Sequence, residues 1–335
     1  MSQQMIEVFN QKTILVTGGT GSFGQNFIKF LLNNSEAKKI IVFSRDESKQ
    51  FEMQKEINDS RMRFFIGDVR DLERLKRAFY NVDIVVHAAA LKHVPALEYN
   101  PFEAVKTNIL GTQNVINAAL DAKVEKVLLI STDKAAHPIN LYGSTKLCAE
   151  KLFVSGNSYS SGETKFSCVR YGNVIGSRGS VVHTLLKNKN IDTVYVTDIE
   201  MTRFWIDFDQ ALQLVTFAIE NMQGGEIFIP KIPSMRLIDL FDTISPNSEK
   251  KIIGIRPGEK LHETLLTKDE ARHSVELDKY FVILPEQLDL DRENYLSGIL
   301  KTAKKLDKDF YHSSDNNKDW MSKDTLIGII NKIKL

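Results

Sequence analysis

An apolar run, Thr13-Ile14-Leu15-Val16, passes directly into Thr17-Gly18-Gly19-Thr20-Gly21-Ser22-Phe23-Gly24, and Phe27, Ile28, Phe30, Leu31 and Leu32 follow at helical spacing. The order is strand, glycine turn, helix. Gly18 permits the tight turn, Gly21 lets backbone approach a pyrophosphate, and Gly24 lets the helix pack closely on the strand. A helix N-terminus in that place offers free N–H groups and a positive dipole end to phosphate. Gly18, Thr20, Gly21, Ser22, Phe23 and Gly24 are therefore candidates for holding a dinucleotide. A glycine turn can also be a plain strand–helix connection. Lys39-Ile40-Ile41-Val42-Phe43 supplies a second strand after the helix, which completes a βαβ unit and favours the binding reading.

Strand and helix signals alternate through the first half. Strand-like runs lie at 13–18, 39–44, Met62–Gly67, Asp83–Ala89, Val127–Ser131 and Phe166–Tyr171. They alternate little between polar and apolar residues, as parallel strands covered on both faces do. Helical patterns span Phe102–Leu120 and Tyr142–Tyr159. The fold class expected is α/β: a doubly wound, Rossmann-like parallel sheet with a smaller, mixed α/β C-terminal domain. In the second half, Thr193–Thr197, Phe204–Ile206, Glu226–Pro230, Lys251–Ile255 and Tyr280–Leu284 read as strands, and Gln210–Asn221, Leu237–Ile244 and Lys323–Ile333 as helices. The boundary is placed near 175, giving 1–175 for the cofactor, with a return around 200–230, and 176–335 mainly for substrate.

Lys and Arg total 44 against 43 Asp and Glu, a net of +1, so nothing suggests a field suited to nucleic acid or an anionic membrane. No apolar run approaches the ~20 residues of a membrane-spanning helix, and no signal peptide is visible; a soluble cytoplasmic protein is expected. Cys148 and Cys168 lie in apolar contexts, as buried free thiols do. The histidines show no metal-ligand spacing, and no metal is expected.

Twenty residues beyond Gly24 the second strand ends in Ser44-Arg45-Asp46. A carboxylate there would bind a ribose 2′-hydroxyl, whereas a hydroxyl and a guanidinium suit a 2′-phosphate, so NADP is preferred over NAD. The alternative is that Arg45 pairs with surface carboxylates and Asp46 reaches the ribose. Asp68, before Val69, either meets the adenine amino group or serves the start of a helix, for which Asp71 just beyond is also a candidate. Ala88, in His87-Ala88-Ala89-Ala90, leaves room for a flat cofactor or for close helix packing. Tyr142 and Lys146, four apart in Tyr142-Gly143-Ser144-Thr145-Lys146, share one helix face. An ammonium beside a phenol favours the tyrosinate, and Lys146 is also placed to bond a ribose. Ser131-Thr132 ends the fifth strand, where the Thr132 hydroxyl can face the same oxygen.

Thr17–Gly24, Asp68, the alanine run, Asn108, Thr132, Tyr142 with Lys146, and Tyr171-Gly172-Asn173-Val174 together resemble the extended short-chain dehydrogenase/reductase family. Asp68–Arg74, Ala90-Leu91-Lys92-His93-Val94-Pro95, Ser131-Thr132-Asp133-Lys134-Ala135-Ala136, Arg178-Gly179-Ser180-Val181 and Arg256-Pro257-Gly258-Glu259-Lys260 are more specific. They look like the inverting UDP-N-acetylglucosamine 4,6-dehydratases, which open the pseudaminic-acid pathway. The resemblance implies a hydro-lyase in which Thr132, Tyr142 and Lys146 serve oxidation at C4, and Asp133 and Lys134 serve as acid and base for elimination across C5–C6. Lys134 would need its pKa lowered by desolvation or nearby cations, and Asp133 would need its own raised. It also implies contacts of Val174 with the cofactor and of Lys92, Asn173, Arg178, Arg256 and Glu259 with a UDP-sugar, and assembly as a homo-oligomer. A 4-epimerase or dehydratase/epimerase of capsule or O-antigen synthesis is the alternative on the same scaffold. A non-catalytic NADP-binding regulator is the alternative of another class.

Overall fold

The computed structural model describes residues 7–160, 162–188, 191–285 and 299–333. The first half follows β1 (Thr13–Thr17), α1 (Ser22–Asn34), β2 (Lys39–Ser44), α2 (Glu47–Glu56), β3 (Met62–Ile66), α3 (Leu72–Ala78), β4 (Ile84–His87) and α4 (Val94–Tyr99). A short α5 (Pro101–Ala104) runs through a π-helical segment, Val105–Leu110, into α6 (Gly111–Asp121), and β5 (Lys126–Ile130), α7 (Leu141–Gly156) and β6 (Lys165–Val169) follow. Strands β3, β2, β1, β4, β5 and β6 lie side by side in that order and all pair in parallel. The order reverses between β1 and β4, so the crevice for a ligand opens at their carboxyl ends. Every residue of β1 and β4 is buried, which explains their uninterrupted apolar sequence.

The second half divides between two cores. It runs through β7 (Asn173–Val174), α8 (Val181–Lys187), β8 (Thr193–Val196), β9 (Thr202–Ile206), α9 (Phe208–Asn221), β10 (Ile227–Pro230), β11 (Ser234–Arg236), α10 (Leu237–Ile244) and β12 (Glu249–Ile252). It ends with β13 (Thr264–Leu266), α11 (Lys268–Ala271), β14 (Ser274–Glu276), β15 (Tyr280–Ile283), β16 (Lys304–Lys305), β17 (His312–Ser313) and a last helix, Lys323–Ile330. Strand β10 pairs in parallel with β6, and β15, β14 and β16 continue the sheet antiparallel to a total of ten strands. A second cluster gathers Ile175, Val182, Val196, Trp205, Leu240, Phe241 and Leu326.

Three expectations change in detail. The helix expected over Phe102–Leu120 carries the π-helical segment, which turns Asn108 inward to bond both backbone groups of Leu91 and the Thr145 hydroxyl. The strand expected at Lys251–Ile255 ends at Ile252, because its partner β8 ends there too. Cys168 is buried but Cys148 is only half-buried, since it lies near the edge of the buried face of α7. Among the described residues, no helix is long and apolar enough to cross a membrane.

Candidate active site

The glycine turn is built as its spacing demands. Gly18 adopts φ +66°, and a Cβ there would lie 2.9 Å from the Ala89 backbone; one on Gly24 would lie 2.6 Å from the Gly19 Cα. Side chains are thus barred where strand, turn and helix converge, while Gly21 meets only the Gly18 carbonyl. Beside the turn opens a cavity of about 250 Å³ lined by residues that include Gly18, Thr20, Gly21, Ser44, Arg45, Val69 and Ala88. Asp46, Lys49, Gly67, Ala89, Ala90 and Thr107 complete much of the wall. Thr107, one of these lining residues, is buried and its Oγ1 has no hydrogen-bond partner. The donor set, an open glycine backbone and an orphaned hydroxyl fit a dinucleotide. Thr107 and Lys49 escape sequence reasoning: one comes from the π-helical segment, the other sits a helical turn after the Asp46 cap.

The remaining cofactor candidates do other work around that cavity. Thr20 Oγ1 and Ser44 Oγ are 2.8 Å apart. Asp46 caps α2 through the Lys49 N–H. Asp68 accepts from the Arg70 guanidinium at 2.7 Å and lies 3.6 Å from Arg45. Burial works to raise its pKa, but Arg70 and Arg45 outweigh burial and hold it low. Asp71 caps α3 through the Arg74 N–H, the helix start expected just beyond Asp68. Ser22 accepts the Arg178 N–H, Phe23 stacks on Phe27, and Val174 packs on the main core.

The second group converges at the carboxyl ends of β5 and β6. Thr132 Oγ1 donates to Asp133 Oδ1 at 2.9 Å, and Lys134 Nζ donates to the same oxygen at 3.0 Å. Lys134 also lies 3.4 Å from Asn173 Oδ1 and 3.4 Å from Glu263 Oε1. The loop is seated on α7 because Gly143 has no side chain: a Cβ there would stand 2.2 Å from the Lys134 carbonyl oxygen. Asn140 caps α7 through the Gly143 N–H and donates to the Gly258 carbonyl, tying the 256–260 loop to the same point. Lys146 Nζ donates to the Ile130 carbonyl at 2.8 Å.

The electrostatics correct two expectations. Burial pulls the Lys134 pKa down, but the flanking Asp133 and Glu263 carboxylates reverse this and hold it above the ordinary lysine value. It is thus an ammonium in this state, not the free amine that a base requires. Burial pushes Tyr142 up to about 12, and the groups working against burial are the Lys134 ammonium and the Thr132 hydroxyl, not Lys146. Lys146 is brought down to about 8 by desolvation. Asp133 is fully buried and its pKa is raised, chiefly by desolvation, as an acid requires.

Of the substrate candidates, Asn173 joins this group directly. Lys92 donates to the Arg178 carbonyl at 3.3 Å, and desolvation and the Lys134 ammonium lower its pKa. The Arg178 backbone N–H reaches Ser22 and its guanidinium reaches Gln25, both on α1. Arg256 is exposed, beyond the end of β12 rather than at a strand end, and lies 3.8 Å from Glu259. Glu259 also accepts from Thr197 at 3.1 Å. Glu263, Arg203 and Lys260 close the far side of the site; Lys260 ends the Arg256–Lys260 run quoted above without a role of its own there, and Glu263 and Arg203 were not singled out by sequence.

A doubly wound sheet with a glycine turn at its switch point, and Thr, Tyr and Lys gathered at the next strand ends, defines a protein of the extended short-chain dehydrogenase/reductase class. The chain belongs to the polysaccharide biosynthesis protein family, whose model matches residues 14–285. It is 50% identical to a Campylobacter jejuni protein named UDP-N-acetylglucosamine 4,6-dehydratase (inverting), over 97% of this chain and 98% of that one. It is 40% identical to a Rickettsia rickettsii protein named UDP-glucose 4-epimerase, over 88% and 90% of the two chains. Among solved structures, Pen from Bacillus thuringiensis matches with a TM-score of 0.87 and 42% identity, covering 96% of this chain and 98% of that one.

Proposed function

We propose that this chain is a hydro-lyase of nucleotide sugars, a UDP-N-acetylglucosamine 4,6-dehydratase that inverts C5. The observation that carries the reading is the pair formed by buried Asp133 and half-buried Lys134, standing beside Thr132 and Tyr142. An epimerase needs the oxidation set alone; an acid and an amine at one loop are what loss of water requires. The 50% identity to the C. jejuni dehydratase supports the same choice.

A nicotinamide cofactor, held by the glycine turn, Thr20, Ser44, Arg45, Val69, Ala88 and Lys146, would take hydride from C4 and return it to C6. Tyr142, drawn toward its tyrosinate by the Lys134 ammonium and the Thr132 hydroxyl, receives the 4-hydroxyl proton in that form. Lys134 takes the C5 proton, made acidic by the 4-ketone, and Asp133 protonates the departing 6-hydroxyl. C5 is then reprotonated from the opposite face. Lys92 and Asn173 face the sugar and its phosphates; Arg178, Arg256 and Glu259 complete the UDP site from the second core. The product is UDP-2-acetamido-2,6-dideoxy-β-L-arabino-hex-4-ulose, the first intermediate of the pseudaminic-acid route, formed in the cytoplasm by a homo-oligomer. NMR and mass spectrometry of a reaction with UDP-N-acetylglucosamine and no added reductant test this. Loss of one water with an inverted C5 is expected; an isomer of unchanged mass would overturn it in favour of epimerisation.

NADP is the cofactor we assign, because a hydroxyl and two cations, Ser44, Arg45 and Lys49, all line the cavity. Arg45→Asp is expected to weaken NADP binding about 10- to 100-fold, the effect of losing a charge-assisted hydrogen bond, and to leave NAD binding little changed. Fluorescence titration of both cofactors checks it. Tighter NAD than NADP binding by the unaltered protein would reverse the assignment.

A further inference from the structure

Glu263 is a buried carboxylate for which the steps above have no use. It is only 3% exposed, and its backbone is clamped on both sides by Ser314, whose N–H donates to the Glu263 carbonyl and whose hydroxyl accepts the Glu263 N–H at 2.9 Å. Ser314 is in turn held by Thr202 at 2.6 Å. The carboxylate therefore has little freedom to move. Its Oε1 lies 3.4 Å from Lys134 Nζ and 3.8 Å from Arg203 Nε; its Oε2 lies 3.5 Å from Lys260 Nζ. Lys260 is itself anchored to the Ala136 carbonyl at 2.7 Å, on the loop that carries Lys134.

Lys134 thus stands between two anions: Asp133 on its own loop and Glu263 from the far side. The other groups that face it are Thr132 on the loop, Tyr142 on α7, Asn173 on β7, Arg203 on β9 and the Lys92 ammonium from beyond β4.

We propose that Glu263 is a positioning residue for the elimination step, fixing the Lys134 nitrogen and governing which of Asp133 and Lys134 carries their shared proton. The proposal rests on the dehydratase reading. As an ion pair, the two side chains offer neither a base nor an acid. One proton crossing the 3.0 Å Lys134–Asp133 bond supplies both, with no outside donor. Elimination then breaks C5–H, and its electron pair becomes the C5–C6 double bond as C6–O breaks. The proton goes to the Lys134 lone pair, and the Asp133 proton joins the departing hydroxide as water. The step ends with ammonium beside carboxylate. Glu263 favours that ammonium and opposes charge on Asp133 until its proton is needed. The two carboxylates therefore divide the labour: Asp133 exchanges the proton and Glu263 keeps its charge, held by Lys134, Arg203 and Lys260.

Glu263→Gln keeps the shape and removes the charge. Its kcat for water loss from UDP-N-acetylglucosamine is expected to fall about 10- to 100-fold, as a misplaced or mispolarised catalytic group does, with KM essentially unchanged. Because oxidation at C4 does not use Glu263, the ultraviolet absorbance of reduced nicotinamide should build up during turnover, and C5 deuterium uptake from heavy water should slow in step with kcat. Glu263→Asp retains the charge and should recover part of the lost rate, and it serves as the second variant should the glutamine fail to fold. Wild-type turnover in Glu263→Gln overturns the proposal. So does a loss without accumulated reduced nicotinamide, or an aspartate variant no better than the glutamine. A wild-type protein that removes no water from UDP-N-acetylglucosamine would instead overturn the dehydratase reading itself.

Discussion

Lys134→Ala is expected to lose dehydration by about 10²- to 10⁴-fold, the usual contribution of a general base, while cofactor binding persists and C4 oxidation continues more slowly, because Tyr142 loses the ammonium that favours its tyrosinate. The nitrogen removed is 3.0 Å from the proposed acid and outside the cavity beside the glycine turn. Reduced nicotinamide should therefore still form when UDP-N-acetylglucosamine is added, and then persist. The alanine variant also leaves Asp133 facing Glu263 with no cation between them, so Asp133 should bind its proton more firmly still. Lys134→Arg separates two roles for the position. A guanidinium keeps the charge but does not give up a proton at any working pH. If the nitrogen must act as a base, arginine should be as inactive as alanine. If a fixed cation suffices, arginine should be active. Single-turnover absorbance and mass spectrometry read both steps separately. Water loss at near wild-type rate in Lys134→Ala would end the assignment.

That experiment bears on what the sequence alone could reveal. The parallel strands were legible because β1, β2 and β4 are short apolar runs closed by turn residues, and the glycine turn because its steric demands are local. Tyr142, Lys146, Thr132 and the Asp133–Lys134 pair were legible as positions. Their protonation was not. The field on Lys134 comes partly from Glu263, which the fold brings in from beyond the second core, and no spacing rule links the two. The same limit hid the strands Thr264–Leu266 and Ser274–Glu276, which exist through pairing with β17 and β15 rather than through their own three-residue patterns. The π-helical segment left a sequence that still reads as ordinary helix, though it decides where Thr107 and Asn108 point.

Arg170→Met is expected to destabilise the folded protein by about 3–5 kcal/mol, the penalty for removing one partner from a buried ionic group. Arg170 is fully buried. It donates to Glu150 at 3.1 and 2.6 Å, to Glu270 at 3.0 and 2.8 Å, and to the Leu265 carbonyl at 3.0 Å. These contacts engage every guanidinium nitrogen, so the side chain has no polar group left unsatisfied. They also pin the end of β6 to α7 and to α11, which joins the first half of the chain to the last. Methionine fills much of the volume but strands two carboxylates, one of them Glu150, a helical turn beyond Lys146 and only 1% exposed. The pH dependence separates this cause from simple loss of packing. Burial works to raise the Glu270 pKa, yet Arg170, aided by Thr267, carries it down to about 2 from an ordinary 4.5. A depressed carboxyl pKa contributes stability that is present above the ordinary value and is lost as pH falls toward the depressed one. The wild-type protein should therefore lose this contribution between about pH 4.5 and 2, whereas in Arg170→Met burial acts unopposed on the stranded Glu270 carboxyl, so its protonation relieves the variant earlier in the descent, above about pH 4.5. Urea unfolding followed by circular dichroism should show a gap between the two proteins that is wide at neutral pH and narrows in acid. A gap of constant width would mean that packing, not charge, makes Arg170 matter.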